Sequence, residues 1–263
     1  FAPNDVWDWD SWENILGEVR MDGQMRKVVM HMHRGGFLYV LDRATGKLLS
    51  AQPYAKVNWA THVDLATGRP VESQVSKDLR AGKTVELFPG ILGAKNWPHA
   101  SFNPNTGLLY ATTNTVSSTY RFLKLQEYKP GLRYQGIENI SSPITPDTIA
   151  SHLEAIDPLT GKAKWRTPVK GQQLSAAMLT TGGGLLFTGK LTGEFIALDM
   201  DNGKQVWQFK TGSGINAAPI TYTHKGVQYV TILSGIGGSN PNRFAGNMGP
   251  RGGSVWTFAL MEE

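Results

Sequence analysis

The chain has 263 residues, a formal net charge of +5 and no cysteine. That length can bury a large single-domain core, and the missing thiols exclude disulfides, a thiolate nucleophile and Cys-ligated zinc. Lys and Arg are scattered rather than run together, which argues against a nucleic-acid surface, and no apolar run reaches the roughly 18 residues of a membrane-spanning helix.

The first residues, Phe1-Ala-Pro-Asn-Asp5, show neither an initiator Met nor the zones of a signal peptide, so the chain is expected to begin inside a longer product. Val6–Asp10 sets Trp7 and Trp9 against Asp8 and Asp10 in strand-like alternation. Asp5, Asp8, Asp10 and Glu13 could be read as a calcium loop. The Gly and closing Glu of an EF-hand loop are absent, and a solvated strand face is the favoured reading. Lys27–His33, Phe37–Asp42 and Lys47–Gln52 form a blade-like unit with a fourth strand expected ahead of them. Asn58–Gly90 reads as an excursion between blades, with Pro70 breaking the strand that should return after Gly68. Leu108–Thr113 is a strand, and Tyr120–Ile149, rich in Tyr, Pro and Gly, is a long surface insertion of a kind that often covers functional faces. From His152 onward strands are predicted at 152–157, 163–169, 176–181, 184–189, 194–199, 205–210, 216–222, 227–233 and 254–260. About four blades account for the chain, and its alternating last strand with two charges after it reads as a natural end.

A repeat organises this pattern. Ala155-Ile-Asp-Pro-Leu-Thr-Gly-Lys-Ala-Lys-Trp165 returns as Ala197-Leu-Asp-Met-Asp-Asn-Gly-Lys-Gln-Val-Trp207, and a weaker copy at Val40–Lys47 has Ser50 in the Trp position. The two full copies describe a hairpin in which Asp hydrogen-bonds the turn backbone, Gly takes a positive φ and Trp lies on the returning strand. Asp157 and Asp199 are 42 residues apart, about one four-stranded propeller blade. Trp165 and Trp207 are expected to be buried between neighbouring blades.

Few residues stand out for chemistry. His31 and His33 project from one strand face as a metal pair could, yet no third ligand is visible and a packed pair is the commoner case. No nucleophile elbow, P-loop or dinucleotide-binding glycine pattern is present, since Gly235-Ile-Gly-Gly238 lacks a following helix. His33-Arg34-Gly35-Gly36 places a cation at a turn between apolar strands, and Lys95-Asn96-Trp97-Pro98-His99 places an amide and an indole at a strand start. Taken singly, Arg34 reads as an exposed turn residue and Trp97 as a packing anchor.

The repeated Asp-x-x-Thr-Gly-Lys-x-x-Trp unit resembles the tryptophan-docking motif of the eight-bladed quinoprotein alcohol dehydrogenases, which use pyrroloquinoline quinone (PQQ) and calcium. Ala2–Asp10, Arg34-Gly-Gly-Phe-Leu-Tyr-Val-Leu-Asp-Arg43, Asn96-Trp97, Phe187-Thr-Gly189 and Thr211-Gly-Ser-Gly214 agree in order, so the resemblance covers nearly the whole chain. It implies an all-β propeller, with residues 1–263 as the C-terminal half of the enzyme and Arg34, Asn96 and Trp97 at the cofactor. The catalytic base, the ligands for calcium (or a lanthanide) and the adjacent-cysteine disulfide belong to the family's N-terminal half, so this chain carries no catalytic or metal-binding residue of its own. The resemblance further implies oxidation of small alcohols, a cytochrome c-type acceptor, a periplasmic location and pairing with an N-terminal half or a second copy. One departure is Leu174–Ala177, where many members place a Trp beneath the cofactor ring. The competing reading is a propeller scaffold that binds no cofactor, because docking repeats also build assembly proteins.

Overall fold

The computed structural model describes residues 5–7, 13–124, 127–132, 134–172, 176–236 and 252–260. Strands β1 (Ile15–Met21), β2 (Gln24–Met32), β3 (Phe37–Asp42) and β4 (Leu48–Pro53) form an antiparallel meander, here blade I. The hairpin β5 (Ala60–Asp64) and β6 (Arg69–Glu72), the helix α1 (Gln74–Arg80) and β7 (Val85–Leu87) follow. Blade II contains β8 (Ser101–Asn103) and β9 (Leu108–Asn114) and is completed, after β10 (Ser118–Phe122) and β11 (Ile137–Ser141), by β12 (Ile149–Ile156) and β13 (Ala163–Lys170). Blade III is β14 (Leu179–Thr180), β15 (Leu185–Gly189), β16 (Glu194–Asp199) and β17 (Gln205–Lys210). Blade IV is β18 (Ile220–His224), β19 (Val227–Gly235) and β20 (Gly253–Ala259). The chain is thus a partial β-propeller of about four blades, as expected.

Alternation along each strand sends side chains to opposite faces, and stacked sheets bury both. In β3, Leu38 and Val40 pack with Leu109, Ala111 and Ile156 of blade II, whereas Phe37 and Tyr39 pack with Trp7, Trp59, Leu79, Leu87 and Tyr120. Blades II and III meet through Tyr110, Leu153, Trp165, Ile196 and Leu198, and blades III and IV through Phe195, Ile215, Val230 and Ile232.

The turns carry the chemistry foreseen for them. The carboxylate Oδ1 accepts the amides of Ala44 and Thr45 at Asp42, of Ala66 at Asp64, of Leu159 and Thr160 at Asp157, and of Asp201 at Asp199. In each, the Gly four residues on donates to the Asp carbonyl, and Gly46, Gly68, Gly161 and Gly203 have φ near +70°. Asn103 builds a fifth such turn, ending at Gly107, with Asn in place of the repeat's Asp.

These turns are also docking beds. The Trp165 indole donates to the Met200 carbonyl at 2.8 Å, and a Cβ on Gly203 would lie 2.5 Å from its ring. Ser50, in the Trp position of blade I, donates to the Leu159 carbonyl of blade II in the same manner. Trp207 departs from expectation and is 38% exposed. Trp207 stacks beside Phe209 and meets Phe195 and Phe258 edge-on.

Three further corrections concern residues 5–80. Pro70 does not prevent strand return, because β5–β6 is a two-stranded sheet and a residue without an N–H is tolerated at an edge. Gln74–Arg80 forms a helix capped by Ser73 that the strand pattern does not foreshadow. Trp7 lies outside any strand and its indole donates to the Gly90 carbonyl at 2.7 Å, while Asp8, Trp9 and Asp10 lie outside the described residues.

Candidate functional site

The turn from β2 to β3 is tight and buried. His33 N–H donates to the Phe37 carbonyl and Gly36 N–H to the His33 carbonyl. Trp59 donates to the Gly35 carbonyl at 2.7 Å, and a Cβ on Gly35 would lie 2.8 Å from the Trp59 ring. Gly36, at φ +96°, supplies the left-handed residue the turn requires. Arg34, expected on single-residue grounds to be exposed, is buried at 6% exposure because residues 90–94 fold over it.

That covering loop is held from two sides. Gly90 N–H donates to the Val116 carbonyl, Ile91 N–H to Ser118 Oγ, and Ala94 N–H to the Arg34 carbonyl. Arg34 Nη2 donates to the Ile91 carbonyl at 2.7 Å, and Asn96 Nδ2 to the Leu92 carbonyl at 2.7 Å. Two residues on separate segments therefore grip consecutive carbonyls of one loop. Asn96 Oδ1 accepts the Trp97 amide at 2.9 Å, which fixes the half-buried indole beside it.

Around this core lie charged groups that sequence reasoning did not assign. Lys95, 1% exposed, places Nζ 2.8 Å from Glu13 Oε1 and donates to the Asn96 carbonyl. Glu13 also accepts the Ala100 amide, and Asp5 lies 3.2 Å from His33 Nε2. His33 Nδ1 accepts the Gly35 amide, so Nε2 carries the proton facing Asp5. Asp5 and Glu13, grouped above as solvated acids, are thus partners of a buried His and Lys. Among the described residues no group of three His, Asp or Glu could hold a metal.

Two grooves lie elsewhere. One of about 670 Å³ runs between the end of β4 and β13, and one of about 270 Å³ lies between blades II and III. Both follow from the stacking of neighbouring sheets and neither is lined by Arg34, Asn96 or Trp97. Leu174 and Ser175 lie outside the described residues, and Ala176 is buried against the blade III–IV core.

Residues 169–230 match the family described as "PQQ: Glucose/ethanol/alcohol dehydrogenase, beta-propeller domain". The quinoprotein ethanol dehydrogenase of Pseudomonas putida is 38% identical over 98% of this chain and 43% of its own length. The chain belongs to the quinoprotein alcohol dehydrogenase family. The lanthanide-dependent methanol dehydrogenase of Methylorubrum extorquens is 39% identical over 90% of this chain and 41% of that enzyme. A solved europium-containing methanol dehydrogenase superposes with a TM-score of 0.84 at 33% identity, over 97% of this chain and 49% of the other. The chain therefore spans less than half the length of the relatives it matches. Among its described residues no helix is long and apolar enough to cross a membrane.

Proposed function

We propose that this chain supplies the quinone-contacting half of a PQQ-dependent alcohol dehydrogenase, with Arg34, Asn96 and Trp97 facing the cofactor. The observation that carries the reading is the convergence of Arg34 and Asn96 on the consecutive carbonyls of Ile91 and Leu92. A guanidinium, a carboxamide and an indole N–H form a donor set matched to a planar anion rich in oxygen. Asn114 Oδ1, buried without a hydrogen-bond partner among the described residues, adds polar capacity beside the same loop. These residues fit the cofactor.

When bound, PQQ would supply an ortho-quinone able to accept two electrons from an alcohol. Arg34, always charged, would help hold the quinone end of the cofactor and would stabilise negative charge developing there. Asn96 keeps one amide proton for the same purpose while its other contacts tie it to the loop, and Trp97 walls the site against water. The base that takes the alcohol proton and the ligands for calcium or a lanthanide come from a complementary propeller half. A small primary alcohol as substrate, a cytochrome c-type electron acceptor and a periplasmic setting complete the proposal.

The test is Arg34→Ala in the complete propeller loaded with PQQ and calcium. We expect the reductive rate to fall by roughly 10² to 10³, the scale for one preorganised donor to developing charge. Unchanged PQQ affinity and turnover in the variant would rule out this role for Arg34, whereas a complete wild-type propeller that takes up no PQQ would favour the cofactor-free scaffold.

A further inference from the structure

We infer that Asn114, at the end of β9, is a positioning residue for the cofactor wall, setting the loop that Arg34 and Asn96 grip; this rests on the functional reading above. Asn114 is 2% exposed. Its N–H donates to the Ala94 carbonyl at 2.6 Å and its Nδ2 to the Gly93 carbonyl at 2.9 Å. The neighbouring Ala94 amide donates in turn to the Arg34 carbonyl, and Gly93, at φ +75°, lies so close that a Cβ there would fall 2.8 Å from that same Arg34 oxygen. One side chain thus clamps the point at which the loop crosses the arginine.

Its chemistry separates this from ordinary packing. Asn114 Oδ1 is enclosed and accepts no hydrogen bond among the described residues. A buried unpaired acceptor is unfavourable, and a Leu would fill the same volume without it. The clamp on Gly93 is the side-chain hydrogen bond that offsets this burden. Val116 and Ser118, just beyond Asn114, hold Gly90 and Ile91, so the stretch from 114 to 118 forms a rail that registers residues 90–94 against Arg34. Asn114 is the rail's contact nearest the guanidinium stem, and losing it frees Gly93 to shift while the other contacts persist.

The experiment compares Asn114→Leu, Asn114→Asp and Asn114→Gln in the complete propeller, by PQQ titration, by the absorption spectrum of the bound cofactor and by the melting midpoint of the cofactor-free protein. Leu removes the amide and Asp keeps its shape without the donor, and both should weaken PQQ binding by about 10- to 100-fold and alter the spectrum. Gln keeps the donor and should recover most of the affinity. Should Leu fail to fold, the contrast between Asp and Gln still decides the matter. A lowered midpoint with PQQ affinity within twofold of the wild type, in preparations where Arg34→Ala does weaken binding, overturns the inference alone. Wild-type affinity in Arg34→Ala overturns the functional reading and this inference with it.

Discussion

At the scale of single residues, burial decides how groups behave that look alike in the sequence. His152 in β12 sits on the face of blade II that carries Glu154, whose Oε1 lies 4.0 Å from its Nδ1. Glu154 is 1% exposed and is held by Arg166 Nε at 2.9 Å and by the Thr113 hydroxyl. Burial pushes the His152 imidazole below its usual value, and the Arg166 charge pushes the same way against the pull of Glu154. Above about pH 6.5 the ring is neutral in both folded and unfolded chains and contributes nothing to the pH dependence. As pH falls through that value the unfolded chain takes up a proton that the folded one resists, so stability is lost until the depressed folded value is passed. We therefore expect the urea midpoint to drop between pH 7.5 and pH 5.5, and His152→Gln to reduce that drop. An equal drop in the variant would exclude His152 as its source.

Among elements, the unit of stability is the contact between an outer strand and the next blade's turn. Trp165 is 9% exposed and bonded to Met200, whereas Trp207, with the same sequence spacing, is 38% exposed. We expect Trp165→Ala to cost about 3 to 5 kcal/mol, the range for deleting a large aromatic whose site cannot collapse. Trp207→Ala in the same chain should cost roughly 1 kcal/mol, because much of that ring already faces water. Denaturant titration of the two variants checks the contrast, and equal losses would refute the docking account. Gly203 belongs to the same contact through its positive φ and its closeness to the Trp165 ring.

For the whole molecule the decisive feature is the outer face of blade IV. Ile220, Leu233 and Val255 are each more than half exposed, and Tyr222 stacks on Tyr229 on the same side of the sheet. The opposite face of that sheet is covered by blade III through Val230 and Ile232. An exposed sheet face this rich in apolar side chains, broken only by the Thr231–Thr257 hydroxyl pair, drives association. We expect the isolated chain to sediment as dimers or larger species, and Leu233→Lys with Val255→Lys to shift it toward monomer. A wild-type chain that stays monomeric at tens of micromolar would contradict this.

The sequence by itself determined the blade arithmetic and the turns, because strand alternation and the Asp–Thr–Gly signal are local: Phe37–Asp42 and Gln205–Lys210 have the bounds their patterns predict. Helix α1 escaped because its seven residues are too few for a helical period to stand out between strands. Arg34 and Asn96 were legible only through family resemblance, since a turn cation and a strand-start amide are each commonplace alone. Asn114 gave no signal, because one Asn after an apolar strand reads as a strand end. Tertiary structure alone decided that Arg34 is buried, that Asp5 and Glu13 partner a His and a Lys, and that Trp165 is covered while Trp207 is not. Each depends on contacts between residues tens of positions apart, and such contacts leave no period or spacing in the chain that makes them.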